Sequence, residues 1–149
     1  MMKRLILTLA LTTTLGASPA AADLCAQTGA LVKQAQAGFA TAPTPLAGAN
    51  ACRMTTGLGG VKAYHCAWEF DYRAEAALST FAEFDAALAA CFDATSQHDQ
   101  DVNHPDFYDL REYAVTGAVV RVSLKDKGAL GQTYVFVAVE TAPQSGIKP

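Results

Sequence analysis

Basic side chains are scarce in this chain of 149 residues, which carries a formal net charge of −3 at pH 7. A protein that binds DNA, RNA or an anionic membrane needs clustered positive charge, so these partners are disfavoured. The apolar run of residues 5–15 is too short for a membrane-spanning helix, which needs about 20 apolar residues. We therefore predict no nucleic-acid partner and no membrane span.

Motifs of the common catalytic and cofactor sites are also missing. There is no G-x-S-x-G segment, so serine catalysis finds no support, and the glycines of residues 57–60 are too few to cradle a phosphate. No two cysteines are spaced C-x-x-C, which argues against a zinc site and against a thiol redox centre. We predict no catalytic residue and no cofactor, and an enzyme is the less favoured class of function.

The N-terminus is typical of a cleaved export signal, predicted over residues 1–22. Lys3 and Arg4 form a basic head, residues 5–15 form the apolar segment, and the three alanines of residues 20–22 suit signal peptidase. We predict cleavage after Ala22. The Sec route is favoured because the twin-arginine signal is missing.

Cleavage leaves residues 23–149, a length that suits one domain. Loss of the basic head makes the net charge more negative by two. Cys25 is not preceded by the small residues of a lipoprotein signal, so no lipid anchor is expected. We predict one disulfide-stapled domain over residues 23–140, a frayed tail over residues 141–149, and a location in the periplasm or beyond it.

The four cysteines all follow the predicted cleavage site, and an even number in an oxidising compartment predicts two disulfides. A three-residue turn within residues 51–73 would place Cys52 opposite Cys66, both facing inward. We therefore favour Cys52 with Cys66, which leaves Cys25 with Cys91 to tie two helices together. Four cysteines permit three pairings, and the other two stay open at this point.

Periodicity predicts two helices and five strands. Apolar spacings of three and four mark helices over residues 24–40 and 74–92, with Asp85 as the one polar side chain on the apolar stripe of the second. Alternation marks a hairpin over residues 51–73. The remaining strands are predicted at residues 108–115, 118–124 and 133–140. The expected fold is an α+β two-layer sandwich of order α-ββ-α-βββ, with a sheet of about five antiparallel strands and two helices.

Two strands stand out for their large apolar side chains. The second strand of the hairpin alternates strictly, which predicts a single buried face. Its large residues are Tyr64, Cys66, Trp68, Phe70 and Tyr72. The last strand, residues 134–139, is apolar on both faces. Such a strand lies inside a sheet with both faces covered, or else one of its faces is a docking surface.

Residues 93–109 hold the densest group of polar side chains, and residues 93–106 are predicted to be a loop. The D-x-D-x-N of residues 99–103 resembles the opening of a calcium-binding loop, but His104 and Leu110 stand where glycine and glutamate are needed. Zinc is the alternative cation. The candidate metal ligands are His98, Asp99, Asp101, His104 and Asp106. A solvated acidic loop is the favoured interpretation.

A group of cations lies near the turn predicted at residues 125–128. Arg121 and Lys125 share strand parity, and Lys127 follows within the turn. These side chains are candidate interaction residues, for a carboxylate-bearing partner or for the acidic segment of residues 93–106. Long loops such as residues 125–131 often carry recognition.

One strand face combines a histidine with carboxylates. His65, Glu69 and Asp71 share parity, but neighbours on one face lie about 7 Å apart. We therefore predict a solvated face rather than acid–base chemistry there.

These observations favour an exported binding or interaction module with a protein partner in the cell envelope, such as an inhibitor or an accessory protein of an envelope complex. Recognition is expected to use residues 93–106, residues 125–131 and an exposed sheet face. A metal-binding protein using residues 93–109 is the second hypothesis. A small hydrolase with an unrecognised site is the third, and it requires a pocket in which a histidine bonds to a carboxylate.

Overall fold

A computed structural model of the chain describes residues 19–92, 96–100 and 108–142. The described part holds two α-helices, α1 (Pro19–Gln36) and α2 (Glu75–Phe92), and six strands. The strands are β1 (Ala51–Thr56), β2 (Lys62–Asp71), β3 (Ser96–Gln100), β4 (Tyr108–Val115), β5 (Ala118–Lys127) and β6 (Gln132–Thr141). They form one antiparallel sheet in the order β1-β2-β6-β5-β4-β3. The predicted α+β class, with two helices and the five predicted strands in that order, is confirmed.

The strand β3 lies in the segment that was predicted to be a loop. It pairs with β4, where Ser96 lies opposite Glu112 and Gln100 opposite Tyr108. Its residues lack the apolar alternation that marks a half-buried strand, so periodicity could not identify it. An edge strand needs backbone pairing on one side only, and polar residues suit that position.

The turn predicted at residues 125–128 is also wrong, because β5 continues to Lys127. Asp126 points toward the helices and is buried, and its carboxylate accepts hydrogen bonds from Thr133 Oγ1 at 2.7 Å and Arg73 Nε at 2.9 Å. These partners make a charged residue acceptable on the inner face of a strand. The chain reverses afterwards through a short 3-10 turn that ends at Gly131, whose φ of 65° suits glycine.

Two disulfides join the predicted cysteine pairs. Cys52 and Cys66 are direct partners in the β1–β2 hairpin, with their Cα atoms 4.1 Å apart. Cys25 of α1 is bonded to Cys91 of α2, with a Cα separation of 6.0 Å. The favoured pairing is therefore confirmed. The first bridge links the two strands of the hairpin, and the second links the two helices.

The buried core lies between the two helices and one face of the sheet. Tyr64, Cys66 and Trp68 of β2 are buried as predicted, and the Trp68 ring meets the edge of Phe84 with centroids 4.8 Å apart. Phe70 is only partly buried, and Tyr72 lies beyond the end of the strand. Fully buried valines of β5 and β6 complete the sheet side of the core, namely Val120, Val122, Val135, Val137 and Val139.

The helix α1 begins before residue 24 and ends at Gln36 rather than at residue 40. Its end is set by Gly38, which has a φ of 68° and donates its N–H to the carbonyl of Ala35, while Phe39 donates to Gln34. These are the two bonds of a Schellman motif. Within the described ranges, neither helix combines the length and the hydropathy of a membrane span.

Candidate functional site

The candidate site lies on the face of the sheet opposite the helices. β6 is a central strand, as its two-sided apolar pattern predicts. Val135, Val137 and Val139 point to the helices and are buried, so Tyr134 and Phe136 point the other way and are only partly buried. In the described part of the chain, no helix packs against this second face, which we call the open face.

A groove of about 620 Å³ runs across the open face between β2 and β4. At its centre Leu110, Ser123 and Phe136 lie side by side on β4, β5 and β6, and we call these three residues the apolar row. Ser123 is buried between its two larger, half-buried neighbours. The centre of the groove is therefore apolar, with one hydroxyl.

One end of the groove is a charged row that consists of His65, Arg121, Glu112 and Glu140. Arg121 Nε donates to Glu112 Oε2 at 2.7 Å, and its Nη1 donates to the Glu140 carboxylate. Burial opposes the charge on Arg121, but the hydrogen bonds to Glu140 and Glu112 outweigh it and raise the pKa of the guanidinium. One cation thus sits between two carboxylates that it holds in place.

His65 is half-buried in the charged row, whereas the sequence predicted a solvated side chain. Its Nε2 lies 3.0 Å from Thr55 Oγ1 of the neighbouring strand β1. Burial lowers the pKa of His65, and the positive charges of Arg53 and Arg121 add to this effect, while Glu140 opposes it. The imidazole is therefore held neutral near pH 7.

The hydrolase hypothesis requires a histidine bonded to a carboxylate, and His65, the histidine whose side chain the structure describes, does not supply it. The bond of His65 goes to a threonine hydroxyl. Ser123 lies two strands away from His65 and two residues further along the strand direction. Sheet spacings therefore put the two residues about 12 Å apart. A serine at that distance cannot pass its proton to the imidazole directly.

The other end of the groove is a lysine row formed by Tyr108, Lys125 and Lys127. Lys125 Nζ lies 5.6 Å from the centre of the Tyr108 ring, a cation–π distance. Just outside the groove, Tyr134 stacks on Phe136 with centroids 5.6 Å apart. The predicted interaction residues Arg121, Lys125 and Lys127 therefore lie on one face, but at two different ends of the groove.

The predicted metal ligands fall at the margin of the described structure. His98 and Asp99 lie in β3, opposite Leu110 and Asp109 of β4. The other three, Asp101, His104 and Asp106, lie outside the described residues. Among the residues that are described, no three His, Cys, Asp or Glu side chains are grouped to hold a metal ion. The metal site stays a prediction.

Several groove residues escaped the sequence analysis, chiefly Tyr108, Leu110, Glu112, Phe136 and Glu140. Each of them belongs to a strand that was predicted. Whether their side chains lie together in one groove depends on which strands pair and in what register. The one signal that pointed to them was the apolar pattern on both faces of β6. That pattern identified a central strand with a candidate docking face.

Comparison with models of protein families, with curated proteins and with solved structures finds no match for this chain. A function can therefore be inferred only from the residues of the groove and from the predicted export signal. The groove offers an apolar centre, a neutral histidine, an arginine between two glutamates, and a separate pair of lysines. This set of side chains suits binding better than covalent chemistry.

Proposed function

We propose that this protein is an exported, periplasmic binding module whose open-face groove binds a segment of a partner protein in the cell envelope. The observation that carries the proposal is the open face of β6. A central strand usually has both faces covered, and here Tyr134 and Phe136 are on a face that neither described helix covers. Partly exposed aromatic residues beside an arginine are typical of protein interfaces.

A protein segment suits this groove better than a small molecule. Ligand pockets bury about 70–90 % of a small ligand, which requires walls on several sides. Among the described residues this groove is open along the sheet, and its lining comes from β2, β4, β5 and β6. A partner chain can cover such a face because it brings its own surface as the opposite wall. An inhibitor or an accessory protein of an envelope complex would bind in this way.

Export is supported by the two disulfides, and the predicted cleavage site is compatible with the position of the core residue Leu24. Disulfides persist in oxidising compartments, and both bridges lie after the predicted cleavage site. Leu24, two residues after the predicted cleavage site, has a buried side chain in the core. Cleavage after Ala22 would remove the first four residues of α1 and keep Leu24 in the mature chain.

The mature protein is expected to begin at Asp23. Intact mass spectrometry of protein purified from the periplasm should show the mass of residues 23–149, and a chain expressed from residue 23 should match the exported protein in urea unfolding within about 0.5 kcal/mol. A mass that retains residues 1–22, or one that lacks Leu24, would contradict this prediction.

Site-specific photocrosslinking in living cells tests the binding function. The probe is p-benzoyl-phenylalanine, placed at Phe136 in the groove and, as the control, at Leu78 of α2. Leu78 is a large apolar residue that is 54 % exposed on the helical layer. We expect one adduct of defined mass from position 136, with a yield at least tenfold above that from position 78. Equal yields, or no adduct from position 136, would refute the proposed function.

A further inference from the structure

We infer that the outer edge of β1 binds a second copy of this chain, with the two β1 strands paired antiparallel about a two-fold axis. This edge is separate from the open-face groove, so the inference goes beyond the proposed function and does not depend on it. It is carried by the backbone groups that β1 points away from the sheet, by the exposure of Met54, and by the position of Arg53.

The bonding pattern of the hairpin shows which backbone groups of β1 point outward. β1 is the first strand in the sheet order and pairs with β2 alone. Just past the end of β1, Gly57 N–H donates to the carbonyl of Val61 at 2.8 Å, in the same register as the strands. Bonded and non-bonded pairs alternate along an antiparallel ladder. The N–H and C=O groups that face the outer edge are therefore those of Cys52, Met54 and Thr56.

Two further contacts agree with this assignment. The Cα atoms of Cys52 and Cys66 are 4.1 Å apart. This is close to the roughly 4.5 Å of a non-bonded pair and well below the roughly 5.5 Å of a bonded one. Lys62, the partner of Thr56, donates its N–H away from β1, to Thr141 Oγ1 at 3.1 Å. Within the part of the chain that the structure describes, no hydrogen bond reaches the outward backbone groups of β1.

β1 also lacks the features that protect an edge strand. Natural edge strands avoid pairing through lysine, proline, an inward-pointing charge or a bulge. β1 reads ACRMTT, with Arg53 as its one charged residue, and all six residues pair with β2 without a bulge. Met54 lies opposite the buried Tyr64, on the helical side of the strand, yet it is 40 % exposed. An unprotected edge with an exposed apolar side chain favours the addition of another strand.

One register of self-pairing satisfies both the backbone and the charge. With the axis at Arg53, the two guanidinium groups would lie directly opposite each other, and like charges in that position are destabilising. With the axis at Met54, Arg53 lies opposite the second copy's Thr55, and the two Met54 side chains meet. This register makes about six backbone hydrogen bonds between the copies, two for each outward pair. Registers displaced further overlap over fewer residues.

Sedimentation of the purified, oxidised protein tests the inference. We expect a monomer–dimer equilibrium with a dissociation constant of about 10–100 µM, since a single pair of short strands gives an interface below the standard size. Met54→Lys places two ammonium groups at the axis and should weaken the dimer at least tenfold. Leu78→Lys makes the same change at an exposed apolar residue of α2 and should leave the constant within about twofold.

A second variant removes a backbone donor and keeps the charge unchanged. Met54→Pro deletes an N–H that points outward, at a position where an edge strand tolerates proline, so it too should weaken the dimer at least tenfold. If Met54→Pro lowers the urea midpoint, Met54→Lys decides. A protein that stays monomeric up to about 1 mM, or a dimer that Met54→Lys leaves unchanged, would overturn the inference.

Photocrosslinking from the hairpin tip checks the register. Leu58 is fully exposed, and with the axis at Met54 it lies near Asn50 of the second copy. A p-benzoyl-phenylalanine probe at Leu58 should give a covalent dimer attached within about two residues of position 50. An adduct with a different protein, or a dimer attached elsewhere, would refute self-pairing of β1. None of these results concerns the groove, which the probe at Phe136 tests.

Discussion

Replacing Cys25 and Cys91 with alanine is expected to lower the free energy of unfolding by about 4 kcal/mol. The bridge joins residues that are 66 positions apart, so its loss gives the unfolded chain much more freedom. Domains of this size have total stabilities of about 5–15 kcal/mol, so the loss is a large share. Urea unfolding of the oxidised proteins, with linear extrapolation to water, measures the difference.

The effect is large because the bridge joins two helices that are far apart in the sequence. α1 precedes the β1–β2 hairpin and α2 follows it, so their packing closes a long loop. The hairpin bridge joins residues only 14 apart, and the same loop model predicts about 3 kcal/mol for it. The contribution of Cys25 and Cys91 should therefore exceed that of the bridge within the sheet.

Reducing agent supplies the control for this prediction. In dithiothreitol both the parent protein and the C25A/C91A variant lack the covalent link, so their urea midpoints should coincide. A difference that persists in the reduced proteins would show that the alanines disturb packing. A loss below about 1 kcal/mol in the oxidised proteins would show that the helices are already held together in the unfolded ensemble.

The local elements of this fold follow from the sequence, because each has its own periodic signal. β2 alternates strictly, and the turn that precedes it fixes the register that puts Cys52 opposite Cys66. The errors occur where a local signal is missing. β3 is a polar edge strand, and β5 continues through Asp126 because Thr133 and Arg73 hydrogen-bond to its carboxylate. Neither partner of Asp126 is adjacent to it in the sequence.

The candidate site was less predictable than the fold, since it depends on pairing between distant strands. β4, β5 and β6 follow one another in the chain and pair as two consecutive hairpins. The apolar row therefore forms between strands that are neighbours in the sequence. The pairing of β2 with β6 joins segments about 70 residues apart, and it alone brings His65 beside Glu140. A strand that is apolar on both sides indicates that the sheet has a second apolar face. Which charged side chains lie on that face depends on the register in which the strands pair.

Replacing Asp85 with alanine is expected to cost about 2 kcal/mol of stability, although this residue is a polar interruption of an apolar helix stripe. The structure explains its presence. Tyr113 of β4 is fully buried, and its hydroxyl donates to the Asp85 carboxylate and lies 3.1 Å from the Asp85 carbonyl oxygen. Arg111 Nε lies 3.5 Å from the same carboxylate. Hydrogen bonds to a charged group are worth about 1.5–3 kcal/mol.

A double-mutant cycle separates this contact from the general cost of truncation. Asp85→Ala, Tyr113→Phe and the double variant should show a coupling of about 1 to 2 kcal/mol, because each single change removes the same hydrogen bond. Glu83→Ala is the matched control, since Glu83 is an exposed acid on the same helix and should change stability by less than about 0.5 kcal/mol. Coupling near zero would mean that Asp85 acts only through Arg111.

The same contact predicts how stability depends on alkaline pH. Burial raises the pKa of Tyr113, and the hydrogen bond to Asp85 and its negative charge raise it further. The folded state therefore keeps the phenol neutral above about pH 10, where the unfolded chain releases its proton. Stability from this group is fully present below pH 10 and falls above it by up to about 1.4 kcal/mol per pH unit.

Tyr113→Phe should remove this part of the slope, so parent and variant should converge as the pH rises. If both proteins lose stability in parallel above pH 10, the slope belongs to another tyrosine, and Tyr64, whose pKa burial also raises, is the residue to change next.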